Sequence, residues 1–567
     1  MTALTTLPRG MRIDVRGLTK TVGQGEAAHR VLDDVTFTVE PGELVAIVGG
    51  SGAGKTTLLE ALAGVRPADA GSVRFDGRDV SKDRELLRRR LGYVPQDDII
   101  HAELPLESTL RYAARLRLPS GTARDEIENR IAAALRDLDL AARAEVRVGA
   151  LSGGQRKRAS IAVELLTHPR VFFLDEPTSG LDPATSAGLL ANLRRLADHG
   201  ATIVLATHAV QDLQACDRVL FLASGGRLAF AGSLDDALAW FAVDSVEGIY
   251  VALAERATPD EWAARWRAER PNDGDLEPVA GAVDASVRPG PGVFRQFATL
   301  TARTTDTLVR NRLTLAILLG SPAMVVAMFA VLFRSGAFDF ADPNPSSIIM
   351  IVFWIAFGGF FFGLTYGLLQ ICTEMPIVRR ERLVGLDLSA YLVPKIAVLL
   401  PFLLLVDLVM LGVLRVLDRL PALDATTFVS LSFTLLLDAT AALALGLVTS
   451  AAVGNPAQAT LALPMLCFPA VLFSGAILPL DAMASAGRAI SAIMPDRWAF
   501  EAIGHDLGLR RLFAEGGSDL GPPLLEQYGS AGTRSTGYYW VVLAVFTVVL
   551  LAAARIALEF RSRPSRR

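Results

Sequence analysis

The residues best placed to do chemistry are Gly49-Gly50-Ser51-Gly52-Ala53-Gly54-Lys55-Thr56, followed by Thr57. They fit G-x-x-x-x-G-K-[ST], a loop whose glycines let backbone N–H groups curl around an anionic phosphate. A helix starting behind the loop adds the positive end of its dipole. At these positions Lys55 reaches the terminal phosphates of a nucleoside triphosphate and the Thr56 hydroxyl ligates magnesium. A second candidate set closes two apolar runs. Val171-Phe172-Phe173-Leu174 ends in Asp175-Glu176, where the first carboxylate holds magnesium and the second polarises the attacking water. Thr202-Ile203-Val204-Leu205-Ala206 ends at Thr207-His208, and a neutral His208 there contacts the γ-phosphate. The other histidines read as surface or packing residues.

The elements that must hold these groups follow from the pattern around them. Leu44-Val45-Ala46-Ile47-Val48 precedes the loop and Thr57-Leu58-Leu59-Glu60-Ala61-Leu62 follows it, giving strand, loop, helix. From Met11 to about Phe230, β-branched runs alternate with helical patterns, as in an α/β domain. Ile127 to Leu140 reads as helical.

Leu151-Ser152-Gly153-Gly154-Gln155-Arg156-Lys157-Arg158 carries an L-S-G-G-Q run, and with it the chain resembles the ATP-binding cassette (ABC) family. The order agrees: phosphate loop, Tyr93-Val94-Pro95-Gln96 as Q-loop, signature, Asp175-Glu176, Ser179-Gly180-Leu181-Asp182 as D-loop, then His208. The resemblance implies ATP and Mg2+ as ligands, with Thr56, Gln96 and Asp175 around the metal and Glu176, His208 and Gln96 in catalysis. It also implies that Ser152 and Gly154 meet the nucleotide held by another cassette, so one phosphate loop and one signature per chain call for two chains. The aromatic that commonly stacks on adenine is missing from Leu18-Thr19-Lys20-Thr21-Val22, which leaves ATP against GTP open.

Hydrophobic residues make up 51 % of the 567, and the mean hydropathy is +0.38. Apolar runs dominate from Leu313 onward, in six stretches near 313–333, 346–371, 388–414, 427–453, 460–480 and 538–558, each long enough to cross a bilayer. The expected architecture is a P-loop α/β nucleotide-binding domain with a helical subdomain (1–240), a tail and flexible linker (241–292), an amphipathic connecting helix (293–312), an all-α six-helix transmembrane domain (313–560) and a basic tail (561–567). In the connecting helix Phe294, Phe297, Leu300 and Leu308 fall close to one face, which suits a helix lying at the cytoplasmic membrane surface, with an ordinary core-facing helix as the alternative. An even number of spans, with Arg561, Arg563, Arg566 and Arg567 behind the last, puts cassette and both termini on the cytoplasmic side of the plasma (inner) membrane. The start lacks a basic segment followed by an apolar core, so no cleaved leader is expected. It reaches the first strand almost at once, so a fused phosphothreonine-reading module is not expected either.

Glu374-Met375-Pro376-Ile377-Val378-Arg379-Arg380-Glu381-Arg382 resembles the coupling elbow of G-subfamily (White-type) cassette transporters, or is a basic topogenic loop. The stretch 481–503 resembles the re-entrant external helix pair of the same subfamily. Asp407 and Asp438 fall inside spans, where a charge costs roughly 2.5–3.5 kcal/mol, so they line a translocation path or pair within the bundle. Cys216, Cys372 and Cys467 show no metal or disulfide pattern. The net charge of −3 gives no reason to expect a nucleic-acid partner.

The resemblance thus implies a half-transporter that pairs with a second copy or a related chain and exports a lipid or amphipathic small molecule. The alternative is a cassette-gated channel or membrane-signalling protein. The complete set of Lys55, Gln96, Ser152, Asp175, Glu176 and His208 weighs toward hydrolysis, and the apolar spans exclude a soluble cassette ATPase.

Overall fold

The strands form where β-branched and aromatic residues run together, and their burial shows which faces are covered. The computed structural model describes residues 9–23, 28–83, 87, 90–269, 290–528 and 532–562. Residues 270–289 of the expected tail and linker (241–292) and the tail arginines Arg563, Arg566 and Arg567 lie outside these. Two compact units emerge: one runs to Thr299 and takes in Arg379–Leu386, the other comprises Leu300–Val378 and the chain from Asp387 onward.

In the first unit the elements are β1 (Ile13–Val22), β2 (His29–Val39), β3 (Leu44–Gly49), α1 (Lys55–Leu62), β4 (Ala70–Phe75), β5 (Arg78–Asp79), β6 (Leu91–Val94), α2 (Leu106–Arg117), α3 (Arg124–Asp137), α4 (Gly153–Leu165), β7 (Val171–Asp175), α5 (Pro183–Asp198), β8 (Thr202–Ala206), β9 (Arg218–Ala223), β10 (Arg227–Gly232), α6 (Leu234–Phe241), α7 (Val246–Glu255) and α8 (Pro259–Glu269). One sheet, β2-β1-β4-β5, is antiparallel. The other runs β10-β9-β3-β8-β7-β6 and is parallel except for β9–β10. Every residue of β3, β7 and β8 is buried, as expected of parallel strands covered on both faces. Alternate residues feed two cores: Leu44, Ala46, Phe172 and Leu205 one, Val45, Ile47, Phe173 and Val204 the other. Because β3, β8, β7 and β6 are neighbours, their carboxyl ends share one edge, the usual ligand edge of such a sheet.

The helix α9 (Val293–Arg310) buries Gln296, Thr299, Leu300, Arg303 and Leu308 but leaves Phe294 82 % exposed. Polar groups thus share the buried side of the helix with Leu300 and Leu308, and Phe294 is left uncovered.

The second unit consists of α10 (Arg312–Leu332), α11 (Pro345–Leu368), α12 (Met375–Leu383, of which Arg379 onward belongs to the first unit), α13 (Leu388–Val416), α14 (Ala425–Ala452), α15 (Pro456–Phe473), α16 (Ser485–Ala492), α17 (Pro495–Asp506), α18 (Leu509–Glu515), α19 (Gly521–Gln527) and α20 (Thr536–Ser562). Six of these, α10, α11, α13, α14, α15 and α20, are long and apolar enough to span a membrane. Asn311, Asn344, Asp387, Asp424 and Asn455 cap α10, α11, α13, α14 and α15, each accepting from a backbone N–H three residues on. The fifth span lies earlier than 460–480: Asn455 starts it, and it stops at Phe473 before a turn through Gly475 at φ 84°. The α11–α14 pair is close because Gly446 faces Gly367. A Cβ on Gly446 would stand 2.7 Å from the Leu364 carbonyl oxygen and 2.9 Å from the Gly367 Cα.

Candidate functional site

The carboxyl edge of the parallel sheet gathers the phosphate-loop residues. β3 ends at Gly49, and α1 begins after Gly54, whose φ of 92° favours glycine. A side chain at Gly54 would also strike the Val31 carbonyl oxygen at 2.5 Å, so the position tolerates only glycine twice over. Ala53 is buried, while Gly50, Ser51 and Gly52 are exposed at the mouth of the loop, as N–H groups meant for an outside anion must be. Lys55 Nζ donates to the carbonyls of Gly49 at 2.9 Å and Gly50 at 3.0 Å. Burial lowers its pKa from the ordinary lysine range, against the opposing pull of Glu176 and Asp175.

Behind the lysine, Thr56 Oγ1 donates to Asp175 Oδ1 at 3.2 Å. Burial raises the Asp175 pKa while this hydrogen bond lowers it. A hydroxyl and a carboxylate this close are hard oxygen donors, and Mg2+ is held by few protein oxygens of that kind together with phosphate. Glu176 stands beside them at φ 44°, a left-handed conformation unusual for a glutamate and of the sort that concentrates at working sites. Its two oxygens are divided: Gln96 Nε2 donates to Oε2 at 3.0 Å and His208 Nδ1 lies 3.2 Å from Oε1. Neighbouring strands thus bring together Gln96 after β6, Glu176 after β7 and His208 after β8. Gln96 faces Glu176 directly through its side-chain amide.

Two further residues hold this arrangement without having been assigned a role from the sequence. Asp212 Oδ2 accepts from Thr178 Oγ1 and Thr207 Oγ1, each at 2.6 Å, tying the loop after Glu176 to the loop that carries His208. Lys157, buried on α4, donates to the Gln96 carbonyl at 2.5 Å and so joins the signature helix to the Q-loop.

The signature begins α4. Ser152 is its N-cap: Oγ accepts from the Gln155 N–H at 3.3 Å, and Gln155 Oε1 accepts from the Ser152 N–H at 3.1 Å. Leu151 anchors the turn in the core. Nothing stands within 4 Å of where a Gly153 side chain would be, whereas at Gly154 one would collide with Thr185. Asp182 caps α5, accepting from Thr185 N at 3.0 Å and Oγ1 at 2.6 Å, and these bonds hold its pKa low.

The elbow residues do not act as one patch. Glu374 accepts from Lys395 Nζ and from the Tyr391 hydroxyl, both at 2.8 Å, within the second unit. Arg380, within the first, gives Nη2 and Nε to Glu164 Oε1 at 2.7 and 3.0 Å, Nη2 also to the Ser160 carbonyl at 2.9 Å and Nη1 to that of Ile99 at 2.9 Å. Arg117 holds the other Glu164 oxygen at 2.6 Å. Burial alone would raise the Glu164 pKa, but the two guanidiniums hold it below the ordinary glutamate value. Glu381 is buried like Arg380. Arg379 and Arg382 complete the helix's basic character on its last turns. Glu164 and Arg117 escaped the sequence reading.

Asp407 and Asp438 both face the interior of the second unit, each 0 % exposed and without a basic partner among the described residues. The reading that they pair within the bundle is thereby corrected.

Family models match on both halves: "ABC transporter" over residues 32–179 and "ABC-2 type transporter" over 295–504. A Mycobacterium tuberculosis "ABC transporter ATP-binding/permease protein" is 33 % identical over 507 residues, 88 % of this chain and 58 % of that one. Protein scarlet of Drosophila melanogaster is 38 % identical over 39 % of this chain and 34 % of its own. An Arabidopsis thaliana "ABC transporter G family member" is 40 % identical over 34 % and 30 %. The chain therefore spans between about a third and somewhat over half of the curated relatives it matches. Among solved structures, a dimeric cassette in a post-hydrolysis state bound to ADP and Pi is similar at TM-score 0.37 and 25 % identity, covering 39 % of this chain and 98 % of that one.

Proposed function

From the premise that the chain belongs to the ABC transporter family, joining an ATP-binding cassette to an ABC-2 type membrane domain as G-family half-transporters do, we propose that it hydrolyses ATP to drive export across a membrane. The observation that carries this is Glu176, with one oxygen on Gln96 and the other on His208. A carboxylate so held is placed to orient and polarise a water, and His208 to register the γ-phosphate. Mg2+, when bound by Thr56 and Asp175, supplies neutralising charge for the phosphates.

The active form in this reading is a dimer, a homodimer or one with a related chain, with Ser152 and Gly154 of each cassette completing the nucleotide site of the other. Closing the cassettes moves α4. Glu164 at its far end grips Arg380, so the elbow α12 carries that motion into the spans. The cargo is a lipid or an amphipathic small molecule, and the membrane is the plasma (inner) membrane with the cassette on its cytoplasmic side.

The test is ATPase and transport of the full chain in liposomes. Glu176→Gln should keep ATP binding and lower hydrolysis by about 10²–10⁴-fold. Unchanged turnover in that variant overturns the reading.

A further inference from the structure

The apolar unit encloses three carboxylates that the hydrolytic cycle does not use. Asp438 lies at the middle of the 28-residue α14, Asp407 in the second half of α13 and Asp496 in the first turn of α17. All three are 0 % exposed. Apart from the Phe360 backbone beside Asp438, their oxygens have no hydrogen-bond partner among the described residues. Helices α13 and α17 each pack against α14, and Asp438 lies within electrostatic reach of both of the other carboxylates.

The basic groups of the surrounding helices are committed elsewhere. On α13, Lys395 is held by Glu374 at 2.8 Å and Arg415 donates to the Leu420 carbonyl at 3.4 Å. On α17, Arg497 is paired with Glu501 at 2.9 Å and His505 meets the Gly532 carbonyl at 3.0 Å. On α20, Arg555 donates to Ser389 and Arg561 to the Val453 carbonyl. The segments of α11 and α15 contain no Asp, Glu, Lys, Arg or His; their titratable groups are Tyr366, which donates to the Leu318 carbonyl at 2.8 Å, and Cys467. Asp506, at the end of α17, accepts from Ser430 at 2.5 Å and from Thr536. Further charged groups near α17 are Arg488 on α16, and Arg510 and the Arg511–Glu515 pair on α18.

Each such carboxylate, if ionised, costs several kcal/mol of lost hydration, and like charges held together raise that cost. Something must neutralise them. Among the described residues no three His, Cys, Asp or Glu side chains are grouped to hold a metal ion. A bulky cationic cargo has no access to groups that are 0 % exposed. The neutraliser that fits is the proton.

We propose that Asp407, Asp438 and Asp496 form a proton-binding centre in the membrane domain. Each holds a proton in the conformation described here. When α13, α14 and α17 part during the export cycle proposed above, on which this step rests, the O–H bonds break, the protons pass to water, and they are retaken on closure.

The test uses the full chain in nanodiscs and dicyclohexylcarbodiimide, which adds across a protonated, apolar carboxyl to leave a stable acylurea. Mass spectrometry should find adducts on at least one of the three aspartates at neutral pH during ATP turnover, when the parting helices admit the reagent, several-fold above the ion-paired Glu164. Labelling should fall as the pH becomes alkaline during ATP turnover. The resting Glu176→Gln protein should keep the infrared carbonyl band of protonated carboxylic acids at the parental strength, which separates this centre from the hydrolytic reading. As a second measurement, the infrared carbonyl band of protonated carboxylic acids should weaken in Asp407→Asn, Asp438→Asn and Asp496→Asn, since asparagine mimics the neutral acid without its O–H. Absence of adducts on all three across the pH range, or an infrared band unchanged in all three variants, overturns the proposal.

Discussion

Asp212 shows how a residue outside every motif can set the geometry of those inside them. Its Oδ2 accepts from both Thr178 and Thr207, so the loops bearing Glu176 and His208 are fixed to one atom. Asp212→Ala should leave nucleotide binding within a few-fold of the parent and lower kcat by about 10²-fold, the scale of a small misplacement of reacting groups. Steady-state ATPase with a separate nucleotide-binding measurement checks this. A rise in KM at unchanged kcat would mean that the carboxylate serves binding instead. Glu176, Lys55 and Ser152 were legible from the sequence because phosphate chemistry demands fixed residue types at fixed spacing. Asp212 was not, because Thr178 is 34 positions away and nothing near it marks the pairing. Lys157 sits inside the signature run, yet its partner Gln96 is 61 positions away.

At the scale of elements, α4 joins two kinds of chemistry. Its N-terminus is the Ser152 cap, and near its C-terminus Glu164 holds Arg117 and Arg380. Leaving buried charges without their counterion costs about 3–5 kcal/mol, so Glu164→Gln should destabilise the cassette on that scale and uncouple ATPase from transport. The sign with pH follows from the lowered Glu164 pKa. A depressed carboxylate contributes stability above its unfolded value and loses it as the pH falls through its folded one. The gap in melting temperature between parent and Glu164→Gln should therefore be full at neutral pH and shrink on acidification. A gap constant with pH would remove the ion triad from the account. The apolar periodicity located six long helices because a bilayer core imposes their length. It could not supply the 216-position pairing of Arg380 with Glu164, nor the end of α15, where apolar residues continue past the turn at Gly475.

At the scale of the whole molecule, one phosphate loop and one signature per chain make the proposed assembly testable by mixing. Suppose each nucleotide site takes Lys55 from one copy and Ser152 from the other. Lys55→Met and Ser152→Arg chains, each alone, then form dimers with two broken sites. In a mixed dimer both lesions fall in the same site, and the other site combines an intact phosphate loop with an intact signature. Random pairing makes about half of the dimers mixed, each with one working site, so co-expression should restore roughly a quarter of the parental ATPase if sites act independently. Sites built within a single chain would give no recovery, whatever the ratio of the two variants. Mixing separately purified dimers should also give none until subunits exchange, which distinguishes a shared site from simple addition of two residual activities. Recovery well above a quarter would mean that a site turns over faster beside a broken one than beside a working one, and ATPase would then still follow the product of the two variant fractions, with a larger coefficient.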